Sequence, residues 1–271
     1  MVNEKGSRII RRNVDKKYMS RVIAIINQKG GSGKTTTAVN LGAYLARFGK
    51  TVLLIDLDPQ ANSTIHLGLK PHEIKRSIYD VMMDERPFFE IVHGTGVENL
   101  FTAPSNINLS GVEIELAGIV GREMVLKDAV MEIKNNYDYV LVDCPPSLGL
   151  LTVNALTVAK ELIIPVQTEF FALEGMGKLF QTVEIVKKRL NRNLKIAGIV
   201  PTMFDVRTNL SREVMEKVRE YFGDKVYKTK IRKNVRLAEA SSHGKPIVLY
   251  DPHSSGAEDY EAFSKEVDGC G

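Results

Sequence analysis

Residues 21–37 read RVIAIINQKGGSGKTTT, and the fold follows from the way this stretch divides in two. Residues 22–26 are β-branched or apolar, broken only by Ala24, which is the composition of a strand buried on both faces of a parallel sheet. The second half follows the pattern of a phosphate-binding loop ending in GK[ST], with Gly30, Gly31, Ser32 and Gly33 ahead of Lys34, Thr35 and Thr36. Glycines are needed there because the backbone must turn tightly and bring its N–H groups up to phosphate oxygens, which a Cβ would obstruct. A helix predicted over residues 35–48 then points its positive end at the same anion. Lys34 is placed to reach the β and γ phosphates and the Thr35 hydroxyl to ligate Mg²⁺, so ATP and Mg²⁺ are the expected ligands.

A second lysine, Lys29, stands just ahead of the glycines. Two lysines this close repel unless a polyphosphate lies between them; the plain alternative for Lys29 is a solvated loop side chain. With Lys29 included, the loop resembles the deviant signature KGGxGKT[ST] of the ParA/MinD superfamily of P-loop ATPases. That resemblance implies that Lys29 reaches across an ATP-dependent homodimer to the partner's nucleotide, which makes it a catalytic as well as a binding residue.

Length and composition allow one globular unit, since 271 residues with 44% hydrophobic content bury a full core. No apolar run approaches the ~18 residues needed to span a bilayer, so a cytoplasmic location is expected. Two cysteines, Cys144 and Cys270, offer neither a disulfide framework nor metal-ligand spacing. Residues 1–20 carry the whole formal excess of +4 and read as a basic, disordered arm. A solvated tail or a start at Met19 explains the arm plainly, and DNA or acidic lipid is its charged alternative. Residues 21–268 form the predicted ATPase domain.

Further along, residues 51–57 (TVLLIDL) read as a second buried strand that delivers Asp56 and Asp58 at its carboxyl end, where doubly wound sheets collect ligands. Two carboxylates there suit two jobs, one near the metal and one near the attacking water. The run DLDPQAN resembles the family signature DxDPQGN, which implies that Asp58 handles the water while Asp56 supports the metal; Ala61 replaces the usual glycine. Residues 137–146, YDYVLVDCPP, form an apolar strand ending in Asp143, the carboxylate expected to fix Mg²⁺. The stretch after it resembles the family's switch-like segment DxPPSLGLLTxNAL. Residues 72–84 are predicted helical until Pro87 and 98–103 a strand. One or two helices follow over 112–133, with 118–121 as the interruption. A strand is predicted over 162–166, a helix over 172–190 and a strand over 194–200. His66, His72 and His93 share no ligand-like spacing and are assigned to the surface. Strand and helix alternate without repeats, which predicts an α/β fold with a single doubly wound, mostly parallel sheet and helices on both faces.

Residues 225–236, KVYKTKIRKNVR, hold six basic residues and no acidic one, a candidate phosphate-backbone footprint. Arg207, on an earlier loop, is expected to meet it in space. The family resemblance implies sequence-independent binding of double-stranded DNA through Arg207 and Arg236, with Lys228 and Lys230 on the same face, and places Asn234 near the adenine. The family's IPRN is IRKN here, with Arg232 in place of proline. The tail 256–267 is acidic and short, unlike the basic membrane helix of MinD-type proteins. Together these motifs imply a partitioning ATPase of ParA/Soj type, nucleoid-associated and reset by a ParB-type partner. A MinD-like positioning ATPase and a metabolic P-loop enzyme acting on a small molecule are the alternatives.

Overall fold

The computed structural model describes residues 20–83, 86–169 and 176–269. Most of the predicted arm, Cys270 and the start of the helix predicted over 172–190 lie outside the described residues. The strands are β1 (Arg21–Ile25), β2 (Val52–Asp56), β3 (His93–Gly94), β4 (Leu100–Ala103), β5 (Tyr139–Asp143), β6 (Glu161–Gln167) and β7 (Lys195–Thr202). The helices in the first half are α1 (Lys34–Arg47), α2 (Asn62–His66), α3 (Ile78–Met82), α4 (Val112–Glu115) and α5 (Val125–Ile133). Those in the second half are α6 (Leu150–Val158), α7 (Met176–Arg189), α8 (Asn209–Phe222), α9 (Val235–Ser242), α10 (Ile247–Tyr250) and α11 (Ser255–Asp268).

One sheet runs in the order β3, β4, β2, β5, β1, β6, β7, and every pairing is parallel except β3 with β4. The expected fold class is the observed one. In β1 and the residue after it, Val22, Ala24 and Ile26 enter the core under α3, α5, α6 and α7, while Ile23 and Ile25 enter the core under α1, α10 and α11. This period-two division is why the strand has no polar face. Ile25 pairs with Asp143, and Asp143 with Asp56, so β1, β5 and β2 end level, and the loops that leave them form one mouth.

Three readings of the sequence need correction. The helix predicted over 72–84 is a 3₁₀ turn at Pro71–Glu73 followed by the separate α3. Ser77 starts α3 with a capping box, its hydroxyl accepting from Tyr79 N–H while Asp80 accepts from Ser77 N–H, and the chain before it is diverted. His66, assigned to the surface, is 1% exposed, and burial lowers its pKa to about 4. The third concerns residues 225–236, whose charge is partly neutralised in space, as shown below.

Candidate functional site

The loop between β1 and α1 is shaped by two left-handed glycines, Gly31 (φ +70°) and Gly33 (φ +87°). A Cβ on Gly33 would lie 3.5 Å from the Thr202 side chain. Two strand ends brace the loop: Gln167 Nε2 donates to the Gly31 carbonyl (2.8 Å) and Thr202 Oγ1 to the Ser32 carbonyl (2.9 Å). Asn27 turns the chain into the loop, donating to the Pro165 carbonyl (2.6 Å) and accepting from Lys29 N–H (2.9 Å). Gln28 holds the position at which an unmodified GxxxxGK[ST] loop has its first glycine.

Lys34 is 7% exposed and donates from Nζ to the Lys29 carbonyl (3.1 Å). Burial pulls its pKa down, and the charges of Asp143 first and then Asp58 oppose that shift. Lys29 Nζ lies 3.3 Å from Glu169 Oε2, with the two side chains 37% and 58% exposed. Such a pair contributes at most about 1 kcal/mol, so a phosphate can displace the carboxylate.

Thr35 and Asp143 converge, and Asp56 stands one strand over. Asp143 Oδ2 accepts from Thr35 Oγ1 (2.8 Å) and from Ser63 Oγ (2.5 Å), while its Oδ1 is buried without a partner. Asp56 spends both oxygens on protein donors, Oδ2 on Thr64 N–H and Oγ1 (2.8 and 2.7 Å) and Oδ1 on Asp58 N–H (3.1 Å). Both carboxyls are pushed above the usual range, by burial first and, for Asp56, by the adjacent charge of Asp143. A hydroxyl beside a buried carboxylate oxygen with no partner fits Mg²⁺, which takes few protein ligands, all oxygen, and keeps waters. Among the described residues no group of three or more His, Cys, Asp or Glu offers a softer metal site.

Asp58 is 7% exposed at the wall of the same cleft, and its Oδ1 accepts from Gln60 N–H (2.9 Å). Ala61 caps α2 at φ +53°, a left-handed conformation that costs a non-glycine residue about 1 kcal/mol. Across the cleft, Asn234 caps α9 by accepting from Arg236 N–H (2.8 Å), and its Nδ2 donates to Ser255 Oγ (2.8 Å). The cleft measures about 890 Å³, ample for a nucleotide. Sequence reasoning missed Ser63, Gln167 and Thr202. The last two ended buried strands, which is the one signal that marks them.

The loop that carries Arg207 reaches the basic stretch at Phe204, which bridges to Arg232 and whose ring centre lies 4.4 Å from Lys230 Nζ. The charge of the stretch is smaller than the sequence window implies. Arg207 forks onto Asp205 (2.9 and 2.8 Å) and holds that carboxyl well below its usual range. Arg236 pairs with Glu239 (2.8 Å) and Asp251 (3.5 Å), Arg232 with Asp259 and Glu258, and the amides of Lys228 and Thr229 with Glu266. Glu239 comes from α9, Glu258, Asp259 and Glu266 from α11, Asp251 from the end of α10 and Asp205 from the loop after β7, all outside the window.

A family model described as an AAA domain matches residues 20–196. The sporulation initiation inhibitor protein Soj of Bacillus subtilis (strain 168) is 55% identical over 249 residues, 92% of this chain and 98% of its own length. The chromosome-partitioning ATPase Soj of Treponema pallidum (strain Nichols) is 48% identical over 249 residues, 92% of this chain and 97% of its own. Among solved structures, cobyrinic acid a,c-diamide synthase from Mycobacterium smegmatis, with bound ADP and magnesium, matches with a TM-score of 0.82 at 36% identity. That match covers 92% of this chain and 94% of the other.

Proposed function

The chain belongs to the Soj/ParA family of chromosome-partitioning ATPases, and from that premise we propose that it hydrolyses MgATP as a DNA-partitioning switch. The observation that carries the reading is the convergence of Lys34, Thr35, Asp143 and Asp58 on one glycine-shaped loop at the carboxyl ends of β1, β2 and β5. Lys34 and the loop amides hold the β and γ phosphates, and Asp58 orients the attacking water. Thr35 and Asp143 would hold Mg²⁺, which when bound supplies positive charge against the developing phosphate charge.

In this reading two copies enclose ATP between them, the dimer binds nucleoid DNA without regard to sequence, and a ParB-type partner stimulates the hydrolysis that resets it. A MinD-like membrane role is disfavoured because α11 buries Tyr260, Phe263 and Val267 against α1 instead of presenting an apolar face. The likeness to the M. smegmatis synthase supports a second reading, ATP-driven chemistry on a small molecule. ATPase assays with DNA plus a ParB-type protein, or with small carboxylic acids, separate the two. Stimulation by the first and indifference to the second is the expected result, and the reverse pattern would favour the synthase.

Lys29 provides a sharper test of the dimer. Lys29→Ala is expected to bind ATP within a few-fold of the parent and to remain monomeric, because only the partner's phosphate charge is lost to it. Light scattering that finds an ATP-dependent dimer in this variant returns Lys29 to its surface pair with Glu169.

For DNA, each neutralised phosphate contributes about −0.9 to the slope of log K against log salt. Arg236→Glu removes one cation per protomer and leaves Glu239 and Asp251 unpaired beside a new carboxylate. The slope is expected to become shallower by about two units per dimer, and DNA affinity to fall at least about tenfold, with ATP-driven dimerisation intact. Arg207→Glu, beside Asp205, should behave alike. Unchanged binding in both variants would assign DNA to residues 5–17 or another surface.

A further inference from the structure

We propose that Arg232 is a positioning residue for the nucleotide, latching the wall of the cleft that faces the phosphate loop onto the first turns of α11. The inference rests on the ATPase reading and adds to it how that wall is held. Arg232 bears both a backbone donor, which a proline would lack, and a guanidinium, and the structure uses both. Arg232 N–H donates to Asp259 Oδ2 (2.8 Å), and its Nε donates to both Asp259 oxygens (2.9 and 3.0 Å). Nη2 donates to Glu258 Oε2 (2.9 Å) and the Ser255 carbonyl (3.2 Å).

Asp259 is 8% exposed, and a carboxylate that buried needs its partner. On its other side the wall is stitched to the exit of β7. Ile231 N–H donates to the Pro201 carbonyl (2.8 Å), Phe204 N–H to the Ile231 carbonyl (3.0 Å) and Lys233 N–H to the Phe204 carbonyl (3.0 Å). Tyr260, next to Asp259, places its hydroxyl 3.2 Å from Thr37 Oγ1 in α1. One turn of α11 therefore grips both the helix that carries the phosphate loop and the wall opposite. Ion pairing sets the width of the cleft, and the part of ATP that feels this width is the one lying against Ile231, Asn234 and Leu237.

A double-mutant cycle tests the latch, with KM, kcat, binding of a fluorescent ADP analogue and melting temperature measured on each protein. Asp259→Ala is expected to raise KM for ATP and Kd for ADP about tenfold while kcat stays within about twofold, the signature of lost ground-state positioning. Arg232→Pro alone should do the same, because it leaves Asp259 buried and unpaired. The double variant Arg232→Pro, Asp259→Ala should return KM to within about threefold of the parent, since proline restrains φ and no buried charge is stranded. Arg232→Lys keeps the N–H and loses the fork; it is expected to give an intermediate KM at near-parent melting temperature, and it carries the test if Asp259→Ala does not fold. A KM that does not move in the folded variants, or a double variant as impaired as the worse single, overturns the latch and leaves the ATPase reading standing. A parent protein that neither binds nor hydrolyses ATP overturns both.

Discussion

Lys34→Ala is expected to lower ATP turnover at least about a thousandfold and to weaken nucleotide binding with it. The side chain is almost wholly buried, and its ammonium is desolvated where Asp143 and Asp58 also face. With the cation gone, two carboxylates border the space for the γ phosphate, so the variant loses an attraction and uncovers a repulsion. Burial also makes the loss hard to rescue, because Lys29 sits at the rim of the loop and not at the buried position of Lys34. Phosphate release and binding of a fluorescent ATP analogue check the result. Turnover within tenfold of the parent would remove Lys34 from the site.

Asp58→Ala should separate binding from chemistry. Asp58 touches the Asp56 network through its backbone N–H, while its carboxylate accepts from Gln60 N–H and stands apart from the Thr35–Asp143 pair. ATP and metal contacts are left in place, and the group aimed at the water is lost. Single-turnover hydrolysis is expected to fall about 10²–10⁴-fold, the range for a general base or water-orienting group, with ATP affinity within a few-fold of the parent. Normal single-turnover rates would move the role to another group. Asp143→Asn serves as the contrast, since it leaves Thr35 and Ser63 their hydrogen-bond partner and removes only the charge that would hold Mg²⁺.

The placement of these two residues at the cleft was legible because their signals are local. Asp58 follows an apolar run that ends at a sheet's carboxyl edge, and Lys34 follows glycines whose left-handed φ values leave few other residues possible. Gly31 and Gly33 marked the loop, and the apolar run of residues 22–26 marked a strand buried on both faces of a parallel sheet. What failed to read was long-range. His66 looked like a surface residue because nothing near it in sequence predicts the α9–α10 turn, whose Lys245 backbone it bonds. The basic stretch looked unopposed because Glu239, Asp251, Glu258, Asp259 and Glu266 all follow it in the chain and return in space. Asp56 matched a metal-site pattern, yet Thr64, a small polar residue in an undistinguished run, takes one of its oxygens. Ser77 was a miss of a different kind, since S-x-x-D is a local signal that the helical spacing of Ile74, Ile78 and Val81 outweighed.

The seam between α1 and α11 bears on the order of events during synthesis. Tyr260, Phe263 and Val267 cover α1, Arg21 Nη1 donates to the Val267 carbonyl (2.6 Å), and Lys50 pairs with Asp268 (3.1 Å). On the ribosome the phosphate loop emerges early, but the helix behind it keeps a bare apolar face until residues 255–268 follow, on the order of tens of seconds later at ordinary elongation rates. A chain still being translated thus carries the phosphate loop on a helix with an uncovered apolar face, and the part of the cleft wall that Tyr260 forms is added only with α11.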